Sequence, residues 1–343
     1  MRAVLLTVFG GLDMLDYRED VPDPVPVPGE VRVRVGAAAM NNTDIWTRQG
    51  AYGSPDDPDA SAGWRREPLT FPRIQGADVA GRIDQVGAGV PESRIGERVL
   101  VDPMLYEGDE RALVTTEYLG SERDGGFAEL VTVPAQNAHV VDSPLSDAEL
   151  ATFPTAYATA MRMLNRAGVG PGETVLVTGA SGGVGSALIQ LATIRGARVV
   201  AVAGTGKHGQ ARDLGAEHVI GRDELSGALA AESVDVVADV VAGKSFPVLL
   251  NALRPLGRYV VAGAIAGPLV ETDLRTVYLK QLQLIGSSFG SHDDFAQLLT
   301  HIRAGELRPL LAGTYPLREL RAAQEAFMAK GFFGKLGIVP AES

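Results

Sequence analysis

The run from Thr174 to Gly185, Thr-Val-Leu-Val-Thr-Gly-Ala-Ser-Gly-Gly-Val-Gly, carries the strongest chemical signal in the chain. An apolar strand-like run ends in a glycine-rich turn that opens a helical pattern. In that context Gly182 lets the backbone approach a phosphate, and Gly185 lets the helix pack on the strand. Ala180 stands where the first glycine of such a motif usually sits, followed by Ser181, with Gly183 and Val184 completing the turn. N–H groups at the turn and the helix dipole suit a dinucleotide pyrophosphate. The alternative is a tight strand-to-helix turn without a ligand. The next strand runs from Arg198 to Ala203 and ends in Gly204-Thr205-Gly206-Lys207. A carboxylate usually stands there to bind the ribose 2′-hydroxyl of NAD. No acidic residue occurs from Thr174 through Arg212. Lys207 and Arg212 are basic and would attract a 2′-phosphate, so NADPH is expected rather than NADH. The alternative for Lys207 is a solvated surface lysine.

The elements that must position this loop follow from pattern. Apolar strands at Thr174–Thr178, Arg198–Ala203, Val234–Val241, Arg258–Ala262 and Leu282–Gly286 alternate with helical segments such as Val184–Arg195. That alternation predicts a doubly wound parallel sheet. The first 140 or so residues read instead as short strands with period-two patterning, as in Val31-Arg32-Val33-Arg34-Val35. Ser146-Asp147-Ala148-Glu149 predicts a capping box where the pattern changes. Residues 53–68, rich in Gly, Pro, Asp and Ser, predict an exposed loop. A helix near Asp294–Ala304 and a strand near Leu336–Val339 close the chain and are expected to return to the first domain. The expected domains are therefore 1–143 with 290–343, and 144–289.

Composition narrows the chemistry. The 343 residues carry 31 basic and 42 acidic side chains, a net charge of −11, which argues against nucleic-acid or anionic-lipid partners. There is no cysteine, so thiolate metal sites and thiol nucleophiles are excluded. The five histidines (139, 208, 218, 292 and 301) lack ligand spacing. The apolar start at Met1–Leu6 is ended by Gly10, Gly11 and Asp13, and no stretch reaches membrane-span length. A cytoplasmic protein is expected.

Several segments together resemble the medium-chain dehydrogenase/reductase superfamily, most closely its zinc-free quinone oxidoreductase branch. They include Gly76-Ala77-Asp78-Val79-Ala80-Gly81, Gly87-Ala88-Gly89-Val90, Gly96-Glu97-Arg98-Val99 and Asp124-Gly125-Gly126-Phe127-Ala128-Glu129. The Ala180–Gly185 loop, Leu214-Gly215-Ala216-Glu217-His218-Val219-Ile220 and Phe333-Gly334-Lys335 follow in the family's order. The resemblance implies a GroES-like β-barrel catalytic domain, a Rossmann domain and a cofactor cleft between them. Where zinc enzymes of the superfamily carry metal ligands, this chain has Asn41, Ala77 and roughly Ala151, so no metal is expected. Asn41-Asn42-Thr43-Asp44 resembles the branch's Asn-Pro-x-Asp turn, with Asn42 replacing proline. By that resemblance Asn41, Trp46 and Tyr52 line the substrate pocket. The alternatives are a turn residue for Asn41 and a packing aromatic for Tyr52. Thr155, Gly263, Ala264, Ser287, Ser288, Phe289, Phe333, Gly334 and Lys335 match positions that contact the cofactor.

The function this implies is NADPH-dependent hydride transfer to a quinone or an α,β-unsaturated carbonyl without a metal. Such acceptors delocalise the incoming charge themselves, and protein donors stabilise the developing oxyanion. The rival readings are an enoyl-thioester reductase, with Arg65 and Arg66 as weak phosphate contacts, and a non-catalytic NADPH-binding protein. The resemblance also implies a homodimer. The late strands Arg258–Ala262 and Leu282–Gly286 carry no proline, and one of them should be an open sheet edge. Val270, Leu274, Val277, Tyr278 and Leu279 would add apolar area to that contact.

Overall fold

The computed structural model describes residues 1–54, 57 and 59–340. The chain divides into two compact units, Met1–Thr155 with Leu299–Ser343, and Ala156–Leu298. Both divisions fall inside helices, Pro154–Arg166 and His292–Arg303. The chain therefore passes between units without a loop, whereas the sequence pattern suggested boundaries near residues 143 and 290.

The first unit is built on a sheet in which Ala138–Val140, Arg98–Val101, Asp78–Val86, Glu30–Ala39, Lys335–Val339 and Leu311–Pro316 lie side by side. Leu130–Pro134 also pairs with Glu30–Ala39. Period-two patterning sorts the faces as expected: Val31, Val33 and Val35 are buried, while Arg32 and Arg34 turn outward to share Asp84. The core joins Val31, Val33, Ile83, Val99, Phe127, Leu336 and Ile338. Two pairings matter for the site. Ala39 lies opposite Asp78 on one side and opposite Gly337 on the other. The C-terminal Lys335 and the Gly76-Ala77-Asp78 segment are thereby brought to either side of the turn that begins at Asn41.

The Ser146 capping box is present, with its hydroxyl accepting from the Glu149 N–H, but the helix it opens is only Asp147–Leu150. The 53–68 stretch is less open than its composition suggests. Ala62 and Gly63 are buried, Ala51 bridges to Ala62, and Trp64 packs edge-on to Tyr52. Residues 55, 56 and 58 of that stretch lie outside the described residues.

The second unit holds one parallel sheet of six strands. Their order is Ala216–Gly221, Arg198–Ala203, Thr174–Val177, Val234–Asp239, Leu253–Val261 and Gln283–Gly286. The order reverses direction at the central Thr174–Val177 strand, and ligands of such sheets bind outside the carboxyl ends at that point. Gly183–Ile194 is the helix that follows the first strand. Ala216–Gly221 is a strand that the sequence pattern did not single out; as an edge strand with exposed Glu217 and His218 it lacks an apolar run. At the other edge stands Gln283–Gly286, one of the two strands expected there. Val277 turns inward to the core, whereas Leu274, Tyr278 and Leu279 stay exposed. Among the described residues no helix is long and apolar enough to cross a membrane.

Candidate functional site

At the carboxyl ends of the parallel strands, Gly179 turns the chain with φ +58° and Gly182 begins the Gly183–Ile194 helix. Among the described residues no side chain caps that helix, and its first-turn N–H groups have neither an intrahelical nor a side-chain acceptor. A Cβ on Gly185 would stand 2.2 Å from the Gly179 carbonyl oxygen, so only glycine allows this approach. Ala180 is buried and bonded through its N–H to Val202, while Ser181, Gly182, Gly183 and Val184 remain accessible. Asp239, fully buried at the end of the neighbouring strand, accepts from the Thr178 hydroxyl at 2.5 Å, from the N–H groups of Val241 and Ala242, and from the Tyr259 hydroxyl. It fixes the loop beside the glycine turn. Burial, reinforced by the Asp239 charge, raises the Tyr259 phenol above its ordinary pKa.

Gly204 and Thr205 follow the Arg198–Ala203 strand as expected, and Lys207 is half-buried one turn later. The cation beside them is Arg222, which sequence reasoning passed over. Its guanidinium nitrogen would stand 3.1 Å from a Cβ placed on Gly204. Burial, then the Arg222 charge, lowers the pKa of Lys207. Among the described residues Arg222 makes no ion pair. Arg212 lies elsewhere: the His208–Asp213 helix carries it back toward Thr174 and Arg198, at the amino ends of the strands. It is not part of this cluster. Gly263 and Ala264 follow the Leu253–Val261 strand. Ser287, tied through its N–H to the Val261 carbonyl, follows the last strand. Its buried hydroxyl oxygen has no hydrogen-bond partner among the described residues. Ser288 comes next, and Phe289 takes a left-handed backbone, φ +49°. A helix N-terminus without a side-chain cap, two cations at the second strand end and a serine hydroxyl without a partner among the described residues together fit a nicotinamide dinucleotide.

In the first unit the structure draws Asn41, Thr155 and Lys335 into one buried network. Lys335 Nζ donates to the Asp78 carboxylate and to Asn41 Oδ1 at 2.7 Å. The other Asp78 oxygen accepts from Thr155 N at 2.8 Å and Thr155 Oγ1 at 2.5 Å. Tyr118 OH lies 2.9 Å from Thr155 Oγ1. Tyr118 was not anticipated, and burial raises its phenol well above the ordinary pKa. Lys335 is 2% exposed, so its ammonium serves Asp78 and Asn41. Gly334 has φ +89°, and a Cβ there would meet the Leu310 carbonyl oxygen at 2.2 Å, which fixes the Phe333–Gly334 turn. Asn41 precedes the Asn42–Gln49 helix, and its N–H donates to Asp44 Oδ2 at 2.7 Å. With Oδ1 held by Lys335, the Asn41 amide presents its NH₂. That group's contact with the Ala39 carbonyl is long, 3.5 Å.

Trp46, on the same helix, stacks edge-on against Tyr52, ring centroids 5.7 Å apart, and Tyr52 in turn meets Trp64 at 6.4 Å. The Tyr52 hydroxyl donates to Thr43 Oγ1 at 2.7 Å, and burial raises its pKa. Asn41, Trp46 and Tyr52 thus share the start of one helix and the segment after it.

Comparison with known proteins agrees with this architecture. A family model described as an alcohol dehydrogenase GroES-like domain matches residues 27–143, and one described as a zinc-binding dehydrogenase matches residues 183–304. The acryloyl-coenzyme A reductase of Metallosphaera sedula is 32% identical, across 98% of this chain and 99% of that one. The quinone oxidoreductase of Homo sapiens is 29% identical, across 98% and 97%. A solved structure from Sinorhizobium meliloti 1021, provisionally named an alcohol dehydrogenase, superposes with a TM-score of 0.94. It is 55% identical and covers 99% of this chain and 97% of that one. The chain belongs to the medium-chain dehydrogenase/reductase superfamily.

For a medium-chain dehydrogenase/reductase, the matched zinc-binding model raises the question of a metal. The residues do not fit one. The positions that the resemblance matches to the ligands of that class hold an amide at Asn41 and fully buried methyl groups at Ala77 and, roughly, Ala151. Among the described residues no group of three or more His, Asp or Glu side chains is placed to hold an ion.

Proposed function

We propose that the chain is an NADPH-dependent oxidoreductase that reduces a quinone or an α,β-unsaturated carbonyl without a metal. The observation that carries the reading is Asn41. Lys335 holds the amide oxygen, so the NH₂ is the end left to donate where a metal-using relative would polarise the substrate. A fixed donor aimed at a developing oxyanion needs no reorganisation as charge appears there. NADPH, when bound, supplies the hydride. The Ser181–Val184 turn would hold the pyrophosphate, and Lys207 with Arg222 the 2′-phosphate. Trp46 and Tyr52 would offer an apolar wall to a flat conjugated acceptor. Thr155 and Tyr118 act behind Asp78, keeping its carboxylate, and hence Lys335 and Asn41, in place. A simple ketone lacks the conjugation that spreads incoming charge, so a single amide donor suits it poorly.

A second reading, an enoyl-thioester reductase, is favoured by the 32% identity to an acryloyl-coenzyme A reductase. Its acceptor is also a conjugated carbonyl, so the site chemistry is shared. Arg66 donates to the Ser54 carbonyl and Arg65 pairs at 3.9 Å with Glu67, leaving Arg65 the looser of the two cations for a coenzyme A phosphate. A homodimer is proposed as well. Among the described residues the edge strand Gln283–Gly286 is unpaired on one side, and Leu274, Tyr278 and Leu279, in the helix that precedes it in sequence, are each more than 60% exposed.

The deciding experiment measures NADPH consumption against three acceptor sets: quinones, 2-enoyl-coenzyme A thioesters, and simple ketones. Turnover of quinones supports the first reading, and turnover of the thioesters alone supports the second. Preference for simple ketones, or cofactor binding with no turnover at all, overturns both.

A further inference from the structure

The parallel sheet has a second concavity, at the end opposite the glycine loop. Thr174, Arg198, Val234 and Arg254 sit at or beside the first residues of four strands, and all line one cavity of about 540 Å³. That volume lies within the range of roughly 300–1,000 Å³ typical of ligand pockets. The fold explains why the space is open. The crossover from Ala216–Gly221 to Val234–Asp239 carries only a 3-10 turn, Arg222–Glu224, and a four-residue helix, Leu225–Ala228. By contrast, the crossover after the first strand is roofed by the twelve-residue Gly183–Ile194 helix. Leu225 reaches the core, but so short a helix leaves Val200, Ile220 and Leu229 only partly covered.

The floor and rim differ sharply in chemistry. Strand register puts Val200 opposite His218, and Ile220 lies two residues beyond His218, so these three side chains share the face the cavity exposes. Around that apolar floor stand Arg198, Arg212 and Arg254. Arg254 is tied to both oxygens of Asp235 at 2.6 Å. Arg198 donates to the Thr174 hydroxyl at 3.1 Å. Neither Arg198 nor Arg212 forms an ion pair among the described residues. Glu217 is the acidic side chain of the lining, and the uncommitted arginines outnumber it.

We propose that this depression binds a small amphipathic anion: an apolar chain or ring bearing one carboxylate or sulfonate. The apolar part would cover Val200, Ile220 and Leu229, and the charged head would meet Arg198 and Arg212. The site is separate from the nucleotide end and does not depend on which acceptor the protein reduces. It does account for Arg212, a cation that the nucleotide end does not use.

Calorimetric titration of the full-length protein with decanoate tests this. One molecule should bind per chain. Decanol keeps the tail without the charge, and inorganic phosphate keeps charge without the tail; each should bind at least about tenfold more weakly. The double substitution Arg198→Ser/Arg212→Ser alters only exposed side chains and should weaken decanoate by about tenfold or more. Leu229→Glu, which sets a carboxylate on the floor, should do the same. Lys207→Ser, at the other end of the sheet, should leave decanoate affinity unchanged. Absence of binding, equal affinity in the arginine variant, or phosphate or decanol binding as tightly as decanoate would overturn the proposal.

Discussion

Replacing Lys335 by Met keeps the aliphatic stem and removes the ammonium, which isolates what the charge contributes. The Lys335 and Asp78 side chains are 3% and 0% exposed, so neither can turn to water when its partner is lost. Asp78 would retain the two bonds from Thr155, but its negative charge would be buried without a countercharge. Breaking a buried pair in this way costs about 3–5 kcal/mol. For a unit of this size that corresponds to a fall in Tm of about 6–20 °C. The assay is favourable because both tryptophans, Trp46 and Trp64, lie in the barrel unit, so their fluorescence reports its unfolding alone. Urea titration of Lys335→Met should show the loss. Lys335→Met/Asp78→Asn, which removes both charges, should recover at least about half of it, because no orphaned ion remains. A loss under about 1 kcal/mol in the single variant would refute the buried-pair argument. So would a double variant as unstable as the sum of the two single ones.

Two further outcomes follow from the buried Asp44 and from the open edge of the parallel sheet. Burial pushes the Asp44 carboxyl up to about 7, against the opposing hydrogen bond from the Asn41 N–H. Between about pH 4 and 7 the folded chain therefore keeps a proton that the unfolded chain has lost, and this group's contribution to stability falls as pH rises, by at most about 1.4 kcal/mol per unit. Asp44→Asn should flatten that slope in urea titrations; an unchanged slope would mean that Asp44 does not carry the proton. Sedimentation at micromolar concentration should give a dimer that Leu284→Pro converts to folded monomers, and a single monomeric species in the natural protein would remove the edge-to-edge arrangement.

Local signals carried much of this far. The glycine loop was readable because strand, turn and helix succeed one another within a dozen residues. The strand at Arg198–Ala203 is marked by Val199, Val200 and Val202. Elements whose identity depends on distant partners were less visible. Ala216–Gly221 is a strand because it pairs with Arg198–Ala203, and its exposed Glu217 and His218 disguise it. Arg212 follows Lys207 closely in sequence, yet a short helix turns it to the other end of the sheet, while Arg222, beside Gly204, follows a later strand. Asp78 and Lys335 belong to separate motifs far apart in the sequence. Only the pairing of the C-terminal strand with Glu30–Ala39 brings them together across 257 residues, and Asn41 with them.

The proposed metal-free, NADPH-dependent reduction is tested most directly by initial rates with a quinone acceptor in excess EDTA. It predicts unimpaired turnover, faster with NADPH than with NADH at limiting cofactor, and a preference diminished or inverted in Lys207→Glu. Activity abolished by EDTA and restored by Zn²⁺, or equal use of the two cofactors by the natural protein, would contradict it.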